Sequence, residues 1–376
     1  MISSLHLKNY RNLKELKINS LGRVNLITGK NNTGKSTLLE AIALFATKGD
    51  LALIYQFLSE RGENFRQTEN NKNSTDVNLR SLSSLFTNRV ISFDRDDAII
   101  IGSNENTLFG EAPAGNSLSI RFVNYFDEIQ RDNLGATITR KRTLLETNEN
   151  GLLENYKIGL EIRIGKSYNI ISIEEDRPYR FGFNRLSSTE SYQFIRTRNI
   201  DKESNGNLFD TIALTEKEQF IIDALKIIEP TTERIAFIGE NSRERTAVIK
   251  LANMATPLPL RSMGDGVNRI LTIILALVNA DNGYLLIDEF ENGLHHTVQE
   301  KLWNIIFKLA QSLNVQVFVT THSEDCILGF ENILNNPENQ LDGKLIRLDN
   351  TNGKIHQVEF NANELKIATD LNIETR

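Results

Sequence analysis

Apolar and polar residues alternate at the start of the chain. Ser4-Leu5-His6-Leu7-Lys8-Asn9-Tyr10 and Leu16-Lys17-Ile18-Asn19 place every second side chain on one face, the period of a half-buried strand. Val24 to Thr28 is mostly apolar and stops at a glycine, as a buried strand does. Leu38 to Ala46 is apolar almost throughout and suits a buried helix. From about Gly49 to Thr215 the texture changes, with Asn and Ser frequent and Glu63 to Asn78 polar enough for a loop. Short alternating runs at Val90–Phe93, Ala98–Ile101, Leu118–Val123, Lys157–Ile164 and Tyr168–Ile173 predict an antiparallel sheet rather than βαβ units. No heptad pattern is sustained, so a long coiled-coil arm is not expected.

Helical periodicity returns at Leu214. Thr215 to Ile228 reads as a helix with Thr215 as cap and Glu218 completing a capping box. A helix after Gly264, a strand at Tyr284–Ile287, a helix over Thr297–Leu313 and a strand at Gln316–Thr320 follow, then a strand or two and a short helix. The outer pieces, residues 1–48 and 215–376, carry motifs that work only together. The expected organisation is one discontinuous α/β domain with residues 49–214 inserted into it.

Composition narrows the class. An apolar content of 40% over 376 residues supports a proper core. The net charge of −6 argues against non-specific coating of nucleic acid, which needs clustered Lys and Arg. Cys326 is the only cysteine, so no internal disulfide forms, in keeping with a reducing cytosol. The opening MISSLHLKNYRNLKEL lacks the features of a signal peptide. The longest apolar run, Ile270 to Ala280, is interrupted by Thr272 and Asn279 and falls short of the roughly 20 residues a membrane span needs. A soluble, cytoplasmic protein without a membrane partner is expected.

The chemistry concentrates in three places. Gly29-Lys30-Asn31-Asn32-Thr33-Gly34-Lys35-Ser36 fits G-x-x-x-x-G-K-[ST] between a predicted strand and a predicted helix, and Thr37 continues into that helix. Glycines let the backbone N–H groups turn inward on phosphate oxygens, and the helix aims its positive end at the same anion. Lys35 then places a charge by the β- and γ-phosphates of ATP, and the Ser36 hydroxyl ligates Mg²⁺. Tyr284-Leu285-Leu286-Ile287-Asp288-Glu289 is an apolar strand ending in two acids. Asp288 is the candidate second metal residue and Glu289 the candidate base for the attacking water. Glu291 adds a third acid, with no role assigned. Finally, Val315–Thr320 leads into Thr321-His322-Ser323, where His322 is placed to contact the γ-phosphate.

With these elements in place the chain resembles the ABC-type ATPase heads of the RecF/SMC/OLD class. It looks most like the bacterial AAA-15/AAA-21 ATPases of phage-defence systems. LHLKNYRNLKELKI is similar to that class's first hairpin, GKNNTGKSTLLEAI to its phosphate loop, LLIDEFENGLHH to its Asp-Glu strand and D-loop, and TTHS to its switch histidine. Arg261-Ser262-Met263-Gly264-Asp265-Gly266, followed by Val267-Asn268-Arg269, stands where the class carries its signature motif. It keeps Ser262-x-Gly264 but not LSGGQ. The resemblance implies a P-loop NTPase head with a mixed sheet, and Mg-dependent ATP hydrolysis. It also implies a head-to-tail homodimer or larger homo-oligomer, in which Ser262 and Gly264 approach the γ-phosphate held by Lys35 of the other copy. Gln193 is a candidate for the class's Q-loop residue. The stretch after His322 is too short for the TOPRIM nuclease domain that OLD proteins carry there, so an effector is expected as a separate chain.

Two functions from different classes follow. One is an ATP-driven sensor or scaffold of a defence system. The other is a RecF-like repair ATPase that binds DNA through Arg140-Lys141-Arg142, the Arg177, Arg180 and Arg185 group, and Arg196 with Arg198. The acidic run Asp94-Arg95-Asp96-Asp97 reads as a turn rather than a metal site. A transporter ATPase subunit fits less well, because of the signature and the large insertion.

Overall fold

The computed structural model describes residues 1–63, 73–103, 117–131, 138–145, 156–173, 190–196, 202–239, 245–336, 341–371 and 373–376. In chain order the strands β1 (Leu5–Tyr10), β2 (Leu13–Ile18) and β3 (Val24–Gly29) precede the helix α1 (Lys35–Ala46). Helices α2 (Leu51–Glu60) and α3 (Asn73–Ser83) come next. The strands β4 (Ile99–Gly102), β5 (Leu118–Arg131), β6 (Ile138–Leu144), β7 (Lys157–Ile164), β8 (Ser167–Ser172) and β9 (Tyr192–Ile195) follow. Two helices, α4 (Lys202–Asp210) and α5 (Lys217–Ile228), lead to β10 (Thr232–Ile238), β11 (Thr246–Leu251) and β12 (Leu258–Pro259). The remainder is α6 (Asp265–Asn279), β13 (Tyr284–Ile287), α7 (His296–Ser312), β14 (Gln316–Thr320), α8 (Glu324–Leu334), β15 (Gly343–Thr351), β16 (Lys354–Phe360) and α9 (Ala362–Asp370).

The chain divides into two compact units. One comprises residues 1–3, 18–39 and 190–376, and its main sheet has the order β16-β15-β3-β14-β13-β9. β15, β3, β14, β13 and β9 run parallel, while β16 is antiparallel to β15, so the sheet is mixed. All six residues of β3 are buried, as expected of a strand flanked on both sides by parallel neighbours. This is an α/β fold with the glycine-rich loop between a central parallel strand and a helix, as expected of a P-loop head. On α6 nearly every residue from Arg269 to Val278 is buried, so that helix lies inside the core rather than on its surface. Trp303 of α7 stacks on Phe290 at 4.3 Å, meets Phe330 of α8 edge-on at 5.0 Å, and donates its indole N–H to the Cys326 carbonyl at 3.1 Å. These contacts anchor the residue that directly follows Glu289.

The expected boundary near residue 215 differs from the observed division. The unit holding the phosphate loop resumes at Glu190, because β9 adds to β13 with Tyr192 opposite Tyr284. The antiparallel sheet β10-β11-β12, in the same unit, had no counterpart in the sequence reading. The start of α5 is close to expectation but shifted. Thr215 Oγ1 accepts the Lys217 N–H at 3.2 Å, while Glu218 reaches back to the Leu214 N–H at 2.9 Å.

The other unit comprises residues 4–17 and 40–189, with a sheet of order β2-β1-β4-β5-β7-β8 and β6 paired to β5. Its described pairings β1/β4, β4/β5, β5/β6, β5/β7 and β7/β8 are antiparallel, as the alternating runs implied. Two expectations fail here. Val90–Phe93 is not a strand; its apolar side chains stand exposed beside short 3-10 turns. Part of the expected loop Glu63–Asn78 forms α3. Leu51–Glu60 is a helix, in keeping with an insertion expected to be largely β and helical; Asp50 caps it, its side chain accepting the Leu53 N–H at 3.1 Å. The Asp94 run is a turn: Asp94 Oδ1 accepts the Asp96 N–H at 3.0 Å.

Candidate active site

The loop between β3 and α1 is shaped by residues that tolerate left-handed backbone. Gly29 has φ 135°, Asn32 65° and Gly34 92°. A Cβ on Gly29 would lie 2.3 Å from the Leu348 carbonyl oxygen of β15, so only glycine fits. Thr33, buried, donates its hydroxyl to the Lys30 carbonyl at 2.8 Å and closes the turn. Asn31, Asn32 and Ser36 are exposed on it, while Thr37 is buried in the first turn of α1.

Lys35 is buried, and its ammonium donates to the carbonyls of Gly29 at 2.6 Å and Lys30 at 3.0 Å. Burial pushes its pKa down to about 8, against the opposing pull of Asp288, Glu289 and Glu291. A buried cation held, among the described residues, by main-chain carbonyls is a receptor for an anion that brings its own charge.

Sheet register brings the acids to this loop. Ile287 is opposite Val319, and Val319 is opposite Leu26, so the carboxyl ends of β13, β14 and β3 meet on one edge. Asp288 Oδ1 accepts hydrogen bonds from Ser36 Oγ at 3.1 Å and from Thr320 Oγ1 at 2.6 Å. A hydroxyl and a carboxylate so close are hard oxygen donors of the kind Mg²⁺ takes alongside retained waters and phosphate oxygens. Thr320 Oγ1 in turn accepts the Glu289 N–H at 2.9 Å, and the Thr320 carbonyl accepts the Phe290 N–H at 3.0 Å. Glu289 itself has φ 52°, left-handed backbone on a residue with a full side chain.

Three residues that the sequence reading left without roles hold this centre together. Thr320 bridges Asp288 and Glu289, as just described. Glu291 accepts the Thr321 hydroxyl and the His322 N–H, each at 2.7 Å, and so clamps the turn that carries His322. Arg269, 1% exposed, donates Nη2 to the carbonyls of Asp288 and Glu289, both at 3.2 Å. A signal existed for Arg269 alone: a cation directly before the apolar run Ile270 to Ala280 of a predicted core helix asks for a partner.

The signature residues stand at the start of α6. Ser262 is exposed, with its hydroxyl donating to the Pro259 carbonyl at 2.7 Å. Gly264, φ 100°, opens α6 without a side-chain cap. Gln193 lies within β9 opposite Leu285 rather than in a loop. His295 caps α7, with its ring 4.1 Å from that of His296. Among the expected DNA-contacting residues, Arg142 donates to the Ile170 carbonyl at 2.8 Å and lies 3.8 Å from Asp127, and Arg196 covers the Phe194 ring. The Arg140 side chain and residues Arg177, Arg180, Arg185 and Arg198 lie outside the described residues.

The family model AAA_21, described as "AAA domain, putative AbiEii toxin, Type IV TA system", matches residues 24–327. A Helicobacter pylori protein named "ATP/GTP phosphatase" is 25% identical over 346 residues, covering 87% of this chain and 86% of that protein. An uncharacterized protein of Methanocaldococcus jannaschii is 48% identical over 61 residues, 16% of this chain and 28% of its own length. Among solved structures, an SMC head bound to the C-terminal winged-helix domain of ScpA superposes with a TM-score of 0.52 at 14% identity. That match covers 96% of this chain and 98% of that one. It speaks for the fold. Among the described residues no helix is long and apolar enough to cross a membrane.

Proposed function

The chain belongs to the AAA_21 family and is an ATPase. On that premise we propose that Mg-dependent ATP binding joins two copies head-to-tail and that hydrolysis releases them. In this reading the main-chain N–H groups of Gly29 to Thr37 and the Lys35 ammonium bind the β- and γ-phosphates. Ser36 and Asp288 hold Mg²⁺, which when bound neutralises developing charge on the phosphate oxygens. Glu289 takes a proton from the attacking water as the bond to the β–γ bridging oxygen breaks, leaving ADP and inorganic phosphate. His322, held by Glu291, contacts the γ-phosphate. Ser262 and the uncapped start of α6, at Gly264, contact the nucleotide of the second copy.

The observation that carries this reading is the shared oxygen of Asp288. Its contact with both Ser36 and Thr320 draws the phosphate loop and the two strand ends to one point. The test uses Glu289→Gln, which should abolish turnover, retain ATP and shift the protein to a dimer in light scattering. Ser262→Arg should reverse that shift. A Glu289→Gln protein that binds ATP yet stays monomeric would rule out the paired-head mechanism.

The cycle serves, in our reading, as sensor or scaffold for an antiviral defence system with a separate effector. The toxin–antitoxin wording of the family description supports this direction. Capture of the protein with products of adjacent genes, with and without ATP, should recover an ATP-dependent partner, for which a TOPRIM nuclease is one candidate. Repeated recovery of the chain alone would count against it.

A further inference from the structure

Arg269 is a costly residue for this fold. It lies in α6 among Ile270, Leu271, Ile273 and Ile274, with 1% of its surface exposed. Burial lowers its pKa, and Asp288, Glu289 and Glu291 pull the other way. Its Nη2 is bound to two carbonyls, whereas Nε and Nη1, equally buried, meet no acceptor among the described residues. Two unpaired donors on a buried cation weaken a fold, so stability gives no reason for arginine here.

The carbonyls it holds supply the reason. They belong to the peptide groups on either side of the Glu289 Cα, the residue with left-handed backbone. Such a conformation at a residue with a branched-off side chain persists only when its surroundings over-determine it. Thr320 holds the amide side of this turn, through Glu289 N–H and Phe290 N–H. Arg269 holds the carbonyl side. With both peptide planes fixed, the direction in which the Glu289 side chain leaves the backbone is fixed as well.

We propose that Arg269 is a positioning residue for hydrolysis, acting through the backbone of Glu289 to aim its carboxylate. The inference rests on the reading of Glu289 as the base.

The experiment compares Glu289→Gln, Arg269→Met and Arg269→Lys in the full chain, measuring melting, ATP affinity, KM and kcat. Glu289→Gln comes first: if it still turns over at the normal rate, the base assignment fails, whatever Arg269 does. With that variant inactive, Arg269→Met should bind ATP normally and keep its KM, while kcat falls about 10- to 100-fold, the scale of a misaimed catalytic group. Arg269→Lys, which offers a point charge without a fork, should recover part of kcat. A folded Arg269→Met with unchanged kcat overturns the proposal. If that variant does not fold, Arg269→Lys decides: a lowered kcat at unchanged ATP affinity supports the proposal, and an unchanged kcat overturns it.

Discussion

The unusual state of Lys35 makes ATP binding a proton-linked event. The Lys35 ammonium is buried against the carbonyls of its own loop, and its pKa falls to about 8. Phosphate oxygens favour the charged form, so in the complex the pKa returns to at least the ordinary lysine range, about 10.4. The sign follows directly. Binding selects the protonated lysine, so affinity is full below pH 8 and falls above it, as the free protein loses the proton that the complex retains. Simple titration arithmetic gives an uptake of about 0.1 proton per ATP at pH 7, about 0.5 at pH 8 and about 0.9 at pH 9. The corresponding loss of affinity between pH 7 and pH 9 is about tenfold.

Three other buried groups stay silent in this window. Burial drives the Cys326 thiol and the Tyr10 and Tyr284 hydroxyls well above their ordinary ranges. The assay is titration calorimetry with Mg-ATP at pH 7, 8 and 9, in two buffers of different ionisation heat at each pH. Lys35→Arg is the control, since arginine keeps its proton throughout. Uptake that stays near zero at pH 9, or that survives unchanged in Lys35→Arg, would show that this lysine does not carry the phosphate charge.

Three further substitutions test the framework around it. Thr320→Val keeps the shape but removes the donor to Asp288 and the acceptor for the Glu289 N–H; denaturant unfolding should show a loss of about 2–4 kcal/mol, with turnover reduced. Gly29→Ala places a Cβ 2.3 Å from the Leu348 carbonyl on backbone at φ 135°; ATP binding should be lost in a fluorescence titration, with destabilisation of about 1–3 kcal/mol. Glu291→Ala leaves the His322 N–H without its acceptor; ATP should still bind, unfolding should cost about 1–3 kcal/mol less, and kcat should fall when measured by phosphate release.

Parts of this protein were legible before any coordinates. The phosphate loop, the acidic end of Tyr284–Ile287 and the apolar strands around them are local signals, each complete within about ten residues. Alternation in Leu118–Val123 and Lys157–Ile164 likewise revealed antiparallel strands, now paired as β5 and β7. Local reading failed where short runs are ambiguous. Val90-Ile91-Ser92-Phe93 has strand-like composition but pairs with no strand among the described residues, and the helix Asn73–Ser83 begins inside a stretch whose polar texture suggested a loop. Tyr192–Ile195 is too short for its period to say which sheet it joins, so only its pairing with β13 shows that the sheet around the phosphate loop already resumes there rather than near residue 215.

The sequence by itself determined which chemistry the chain carries, because the backbone of a phosphate loop and the acids at a strand end are specified by adjacent residues. Only the tertiary structure decided how that chemistry is held. Thr320 reaches Asp288 from 32 positions away, Glu291 grips the His322 turn, and Arg269 on α6 supports the turn at Glu289. Such contacts depend on strand register and helix packing, and neither leaves a period in the sequence of the residues it brings together.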